Sequence, residues 1–297
     1  MQIKYFDAAW QDIKNSPGWF GKLCLLALLS FIPIFGQLVM LAYLYGWARQ
    51  IAWGAHLPMP ASVFANEDGK FWRRGWFLLV ISFVFGLIPA IVSQIGLNMQ
   101  TAAMSTTMFG LYQGASGSGA ASAASAGIGA LVYICGLVLA LVVDIFVWVA
   151  YMRSAIYDNI SAGFQFGAIW KMIRKDTSGI LKIFGMNLLV GLIVGLVASV
   201  VIVIIMVVCI LVGAGGSAGL QSGGLDVSSL SVVAIGLMLL LLLAAIFFMM
   251  VGTTFVEALV ARAVGYWTMQ FEVPKWRGQD DPMPFEMEPP ATTYPMQ

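Results

Sequence analysis

The sequence predicts an all-α fold, a polytopic integral membrane protein with six transmembrane helices. We expect three hairpins, with amphipathic interfacial helices preceding them. Of the 297 residues, 60% are hydrophobic and 10% are charged, whereas soluble globular domains carry roughly 25% charged residues. The fifteen lysines and arginines can all lie on one side of a membrane if the apolar segments cross it six times, as expected of basic residues in short cytoplasmic loops.

The N-terminal part contains an interfacial helix followed by two short apolar segments. Residues 2–16 carry apolar side chains at helical spacing and charged ones on the other side, which is typical of a helix lying in the membrane interface. The apolar segments 19–33 and 36–53 meet at Pro33 and Gly36. They form either a hairpin or one kinked span.

Charge favours the hairpin, because a single span would put Arg49 and Arg73 on the side opposite Lys4 and Lys14. Each arm is nevertheless short for a core of roughly 30 Å at about 1.5 Å per residue. The other spans are predicted at residues 75–97, 128–152, 180–212 and 230–256. Six spans place both termini in the cytoplasm.

The segments between and after the spans differ in composition. Residues 98–127 contain no charge and are rich in Gly, Ala and Ser, which predicts a flexible outer loop. Residues 270–297 combine prolines with acids, which predicts a disordered cytoplasmic tail. The membrane domain is therefore expected to comprise residues 1–269.

An internal repeat is visible in the sequence. Two segments match at an offset of 160 positions, Phe6-x-Ala8-x-Trp10-x-x-Ile13-Lys14 and Phe166-x-Ala168-x-Trp170-x-x-Ile173-Arg174. The even spans end in an arginine followed four residues later by an aromatic, as Arg49/Trp53, Arg153/Tyr157 and Arg262/Tyr266. These patterns favour three duplicated units, although aromatic and basic residues also recur at every membrane boundary.

Asp144 is the main candidate for a functional site, because an ionisable residue within a span costs roughly 2.5–3.5 kcal/mol to insert. It could hold a proton, a cation or a polar ligand. Alternatively, it is neutral, or paired with Asn187, Gln94 or an arginine in a purely structural role. Glu257, near the interface, fits a structural ion pair. Small residues at intervals of four on the last four spans predict dry helix packing, with a polar-lined cavity as the alternative.

Basic residues at the span ends are predicted to anchor the protein to anionic lipid at the cytoplasmic face. They are Arg49, Arg73, Arg74, Arg153 and Arg262. The basic patch is too small to predict nucleic-acid binding. The single histidine and the three cysteines lie far apart, and no catalytic or phosphate-binding motif is present. We therefore predict no metal, no cofactor, no catalytic residue and no enzyme activity.

The N-terminal third resembles a family of prokaryotic membrane proteins, domain of unknown function 4013. Three stretches carry the resemblance: FIPIFGQLVMLAYLYGWARQIAWG, the following LPMP, and DGKFWRRGW. The resemblance covers residues 3–97 and more loosely 164–270, and residues 114–126 look like a local insertion. It implies six spans in a prokaryotic inner membrane and no assigned activity.

Two functions follow as hypotheses. The first is a non-enzymatic scaffold or accessory subunit, which binds a membrane protein partner through its small-residue helix faces and its acidic, proline-rich tail. The second is a small transporter or lipid-handling protein that uses Asp144. A hydrated cavity around Asp144 would favour transport, and a satisfied pair in a dry interface would favour the scaffold.

Overall fold

The computed structural model describes residues 4–66, 68–112, 119–219 and 227–287, and every regular element in these ranges is helical. The all-α prediction is confirmed for this part of the chain. The helices are α1 (Tyr5–Lys14), α2 (Trp19–Leu29), α3 (Phe35–Ala52), α4 (Phe71–Tyr112), α5 (Gly119–Tyr157), α6 (Ile160–Gly163), α7 (Phe166–Lys175), α8 (Thr177–Gly219), α9 (Val227–Met269) and α10 (Pro284–Met287). Within the described residues, four helices (α4, α5, α8 and α9) are long and apolar enough to cross a membrane.

These four helices are longer than the predicted spans. Each has 39 to 43 residues, or roughly 60 Å at about 1.5 Å per residue. The outer loop predicted at 98–127 is therefore wrong over 98–112 and 119–127, where α4 ends and α5 begins. Alanine, abundant after position 119, has the highest helix propensity. The positions between these two helices lie outside the described residues.

The chain breaks near Pro33, between α2 and α3. Ile34 has a φ of 65°, and the turn brings Gly36 against the backbone of Leu29, where an added Cβ would overlap the Leu29 carbonyl group. Only glycine fits at that approach. The two helices have 11 and 18 residues, and neither is among the four long candidates for a span.

The chain divides into two compact units, and unit 1 comprises residues 1–72 and 178–297. The C-terminal part of α9 packs against α1, α2 and α3. The largest fully buried apolar side chains of this core are Trp47, Trp267, Tyr45, Ile13, Leu23, Leu26, Leu44, Ile51 and Met59. Helices α3 and α9 approach closely at Gly265, where an added Cβ would lie 2.6 Å from the carbonyl oxygen of Ala48.

The predicted disordered tail differs from the structure in its first part. Phe271 packs edge-on against Trp267 with ring centroids 4.8 Å apart, and its carbonyl accepts a hydrogen bond from the Trp276 indole at 2.8 Å. Val273 and Met283 are buried. Apolar residues spaced among the prolines and acids thus pack beyond the end of α9. Residues 288–297 lie outside the described residues.

Unit 2 comprises residues 73–177. Helices α4 and α5 meet through small residues: Gly136 lies against Ser93, and Gly96 lies against Tyr133. Gly136, one of the small residues predicted to pack between helices, lies at this contact. Pro89 lies inside α4, which continues as an α-helix on both sides. The short helices α6 and α7 pack against α5.

Candidate functional site

Arg262 is the centre of a buried polar cluster in unit 1. It lies on α9 and is fully buried. Its Nε donates to Asp12 Oδ2 at 2.6 Å. The two terminal nitrogens donate to backbone carbonyls, of Trp47 at 3.0 Å and of Leu57 at 3.2 Å. The guanidinium carbon also lies 4.3 Å from the centre of the Trp47 ring. Every edge of the guanidinium and one of its faces therefore contact protein groups.

Tyr266 completes the cluster from the next turn of α9. Its hydroxyl donates to the same Asp12 oxygen at 2.8 Å, and the Arg262 guanidinium lies 5.7 Å from its ring centre. Residues four apart share a helix face, so an arginine and an aromatic at this spacing reach one carboxylate together. This geometry gives a structural reason for the arginine-aromatic pair seen in the sequence.

The LPMP segment, residues 57–60, is held by side chains from three helices and by Ser16. The carbonyl of Leu57 accepts from the Trp47 indole at 3.0 Å, and that of Pro60 accepts from the Tyr43 hydroxyl at 3.0 Å. The two backbone groups of Met59 bond to Ser16 Oγ at 2.8 Å and Lys22 Nζ at 3.1 Å. The third helix is α9, from which Arg262 donates to the Leu57 carbonyl.

Sequence reasoning missed this set of contacts. The available signal was the pair of prolines, which keep the backbone extended and remove two N–H donors. The carbonyls of such a segment need donors from elsewhere, and here side chains supply them.

Arg153 occupies a comparable position in unit 2. It is fully buried on α5, and its Nε donates to the Ala162 carbonyl at 3.2 Å. The Gln165 side chain accepts a second bond, and Met172 Sδ lies 4.0 Å from Nη1. Met172 stands 160 positions after Asp12. Asp12 and Met172 therefore each face a buried arginine, the first with a carboxylate and the second with a thioether.

Burial corrects the predicted lipid-anchoring role of three arginines. Arg74 is 5% exposed and pairs with the buried Asp158 at 2.9 Å, and Arg153 and Arg262 are enclosed as described. The side chains of these three bind acids, an amide and backbone carbonyls within the protein. Arg73 is exposed, and Arg49 is partly exposed and lies 3.5 Å from Asp68, so anchoring stays a prediction for these two.

The predicted intramembrane polar residues do not form one cluster within either unit. Asp144 is half-buried on α5 and Gln94 is exposed on α4; among the described residues of unit 2, Asp144 has neither a hydrogen bond nor an ion pair. Asn187 on α8 and Glu257 on α9 are half-buried in unit 1. No group of metal-ligating side chains occurs in the part of the chain that the structure describes.

An apolar groove of about 280 Å³ lies between α8 and α9 in unit 1. We call it the α8/α9 groove; residues such as Val194, Val197, Val201, Ala245 and Met249 line it. In the most apolar 18-residue stretch of α8, no residue is buried within the protein.

Two glycines of α8 differ from those at the helix contacts described above. An added Cβ at Gly191 or Gly195 would meet no described atom within 4 Å, whereas Gly136 and Gly265 lie against neighbouring helices. On the side of Gly191 and Gly195, helix α8 therefore presents an apolar surface that no described atom packs against.

One family model matches most of the chain. It is described as Protein of unknown function (DUF4013) and covers residues 25–207. The match confirms the resemblance noted in the sequence and extends through α4 and α5. No curated protein matches the chain, and neither does any solved structure.

Proposed function

The chain belongs to the DUF4013 family of proteins of unknown function, and we propose that it is a non-enzymatic membrane scaffold or accessory subunit. Its site is the exposed surface of α8 around Gly191 and Gly195, on the same helix that lines the α8/α9 groove. Its partner is an apolar transmembrane helix of another protein in the prokaryotic inner membrane. The observation that carries the proposal is the exposed surface of α8 beside Gly191 and Gly195.

The proposal includes six crossings, with α2 and α3 as a hairpin and both termini in the cytoplasm. Two bonds support the hairpin: Lys22, at the start of α2, and Trp47, near the end of α3, both bond to residues 57–60. In the proposed arrangement, the start of α2 and the end of α3 therefore lie on the same side of the membrane. Duplication of two of the three predicted units is supported by Arg153 and Arg262, which face Met172 and Asp12, two positions that stand 160 residues apart.

The chemistry of the α8 surface around Gly191 and Gly195 favours a helix over a lipid tail. In the bilayer core an occupant must be apolar and must satisfy its own backbone, which a helix does. Glycine permits two helix backbones to approach closely, and this close packing drives association in lipid. A flexible acyl chain gains no comparable advantage from the two missing side chains.

Filling the small-residue surface of α8 is expected to release the partner. The variant Gly191→Leu/Gly195→Leu should lose a stoichiometric protein partner that the wild-type chain retains when it is extracted gently and analysed by native mass spectrometry. Gly86→Leu is the matched control, because Gly86 also lies on a long apolar helix with open space around its Cα. Retention of the partner by the α8 variant, or no partner on the wild type, would contradict the scaffold proposal.

A second function, a small transporter or lipid-handling protein, is favoured by the half-buried Asp144 with no bonded partner in unit 2. If Asp144 binds a ligand, Asp144→Asn should lose a small molecule or lipid that the wild-type chain retains in native mass spectrometry. Glu257→Gln serves as the control for removing an acid from an apolar helix. An unchanged set of retained molecules in Asp144→Asn would remove Asp144 from any transport mechanism.

A further inference from the structure

We infer that the α8/α9 groove binds one anionic phospholipid, whose acyl chain lies against Ile193 and Val197 and whose phosphate binds Lys182. The inference rests on the membrane location in the proposed function, but the partner helix of that proposal lies on another side of α8. It assigns a ligand to a cavity and a cation for which the scaffold proposal gives no role.

The contact between α8 and α9 divides the exposed surface of α8 into two sides. Val194 is half-buried although its neighbours in the sequence are exposed, and an added Cβ at Gly252 of α9 would lie 2.7 Å from its Cγ1. At about 3.6 residues per turn, Ile193 and Val197 lie on one side of this contact, and the two glycines of the proposed partner site lie on the other. A ligand beside Ile193 and Val197 therefore leaves the glycine side open to a partner helix.

The size and the lining of the groove select a hydrocarbon chain as its occupant. The groove has a volume of about 280 Å³, whereas an α-helix about 10 Å across that rises about 5.4 Å per turn fills roughly 400 Å³ with one turn. The groove is therefore too small for a helix. Its described lining consists only of aliphatic, aromatic, methionine and glycine residues, which offer no side-chain hydrogen bond to a polar ligand. A narrow, flexible acyl chain meets both conditions.

Lys182 lies in line with the groove, at the depth of a headgroup. Eleven residues make close to three turns, so Lys182 and Ile193 lie on one side of α8, about 17 Å apart along its axis. Half the thickness of a bilayer with its headgroups is about 20 Å. A phospholipid with its phosphate at Lys182 therefore brings the end of its acyl chain beside Ile193, where the α8 lining of the groove begins.

The charge of Lys182 is complementary to a lipid phosphate. Lys22, which stands 160 positions earlier, donates to the Met59 carbonyl at 3.1 Å, so the protein itself supplies an acceptor there. Lys182 is exposed and has neither a hydrogen bond nor an ion pair among the described residues of unit 1. Lysines at the ends of membrane helices extend to the headgroups, where an anionic phosphate provides the acceptor that Met59 provides for Lys22.

The first test measures lipid retention by the full-length chain in detergent micelles, using native mass spectrometry with phosphatidylglycerol added. Each basic residue near an anionic headgroup contributes roughly fivefold to binding, so Lys182→Gln should lower the retained phosphatidylglycerol by about that factor. Lys182→Arg should keep it, because the charge is conserved. Lys14→Gln is the matched control, since Lys14 is an exposed lysine at the end of α1, and it should leave retention unchanged.

The second test fills the groove. Val197→Phe adds a ring where the acyl chain lies and should lower retention at least as much as Lys182→Gln. Val203→Phe is its control, because Val203 has nearly the same exposure on α8 but does not line the groove. This variant should retain phosphatidylglycerol like the wild type.

Three outcomes would overturn the inference: unchanged retention in Lys182→Gln, equal losses in Val197→Phe and Val203→Phe, or displacement of the lipid by millimolar inorganic phosphate, which would indicate a site for free phosphate. The variant Gly191→Leu/Gly195→Leu should keep the lipid while it loses the protein partner, and Val197→Phe should keep the partner while it loses the lipid. Failure of either proposal can therefore be distinguished from failure of the other.

Discussion

Replacing Arg262 by Met is expected to lower the free energy of unfolding by about 3–5 kcal/mol, the usual cost of removing one partner of a buried ion pair. The variant leaves the Asp12 carboxylate without its cation and removes a donor from the carbonyls of Trp47 and Leu57. Arg262→Lys should recover little, because an ammonium group cannot reproduce the planar set of donors. Denaturant titration of the purified protein in micelles, followed by tryptophan fluorescence, measures the change.

Arg49→Met is the matched control, since Arg49 ends the first of the predicted even spans and its pair with Asp68 is partly exposed. Exposed pairs contribute about 0–1 kcal/mol. The double variant Asp12→Leu/Arg262→Met should be more stable than Arg262→Met alone, because it leaves no isolated charge. Equal costs for Arg262→Met and Arg49→Met would contradict the assignment of Arg262 as a structural centre.

Gly265→Ala is expected to destabilise unit 1 by about 1–3 kcal/mol, the range for adding volume to a packed core. The added methyl would lie 2.5 Å from Ile51 Cγ2 and 2.6 Å from the Ala48 carbonyl oxygen. One of these neighbours is backbone, so α3 and α9 must move apart. The same denaturant titration detects the loss.

Gly191→Ala provides a control for which we expect stability to change in the opposite direction. Its methyl meets no described atom within 4 Å, and alanine is about 1 kcal/mol better than glycine within a helix. The isolated protein should therefore become slightly more stable. If both variants change stability equally, Gly265 is not needed for close packing between α3 and α9.

The sequence predicted the helical class and the break at Pro33 because apolar length and proline act locally. Helix ends were predicted poorly between the long helices. Residues 98–112 and 119–127 carry small and polar side chains typical of loops, but nothing in them stops a helix that has already started. The length of α4 and α5 thus follows from propagation, which costs less than initiation.

The polar contacts were harder to predict because most of them join distant positions or backbone atoms. Arg262 was identified as one of the arginines at the ends of the even spans, but its acid lies 250 positions earlier in the sequence. Its other two acceptors are carbonyls, which every residue possesses and no motif reveals. Asp144 was recognised from its chemistry alone, and its surroundings contributed no partner within unit 2.

The contacts of residues 57–60 also constrain the order in which the two units can fold during synthesis. Their donors on α2 and α3 are synthesised early, but Arg262 emerges about 200 positions later. At roughly 5–20 residues per second, the ribosome needs about 10–40 s to supply it. Unit 2 is continuous in sequence and can form during that interval, whereas unit 1 cannot close before the last long helix arrives. A chain truncated before α9 would leave the Leu57 and Trp47 carbonyls and the Asp12 carboxylate without the donors that Arg262 supplies.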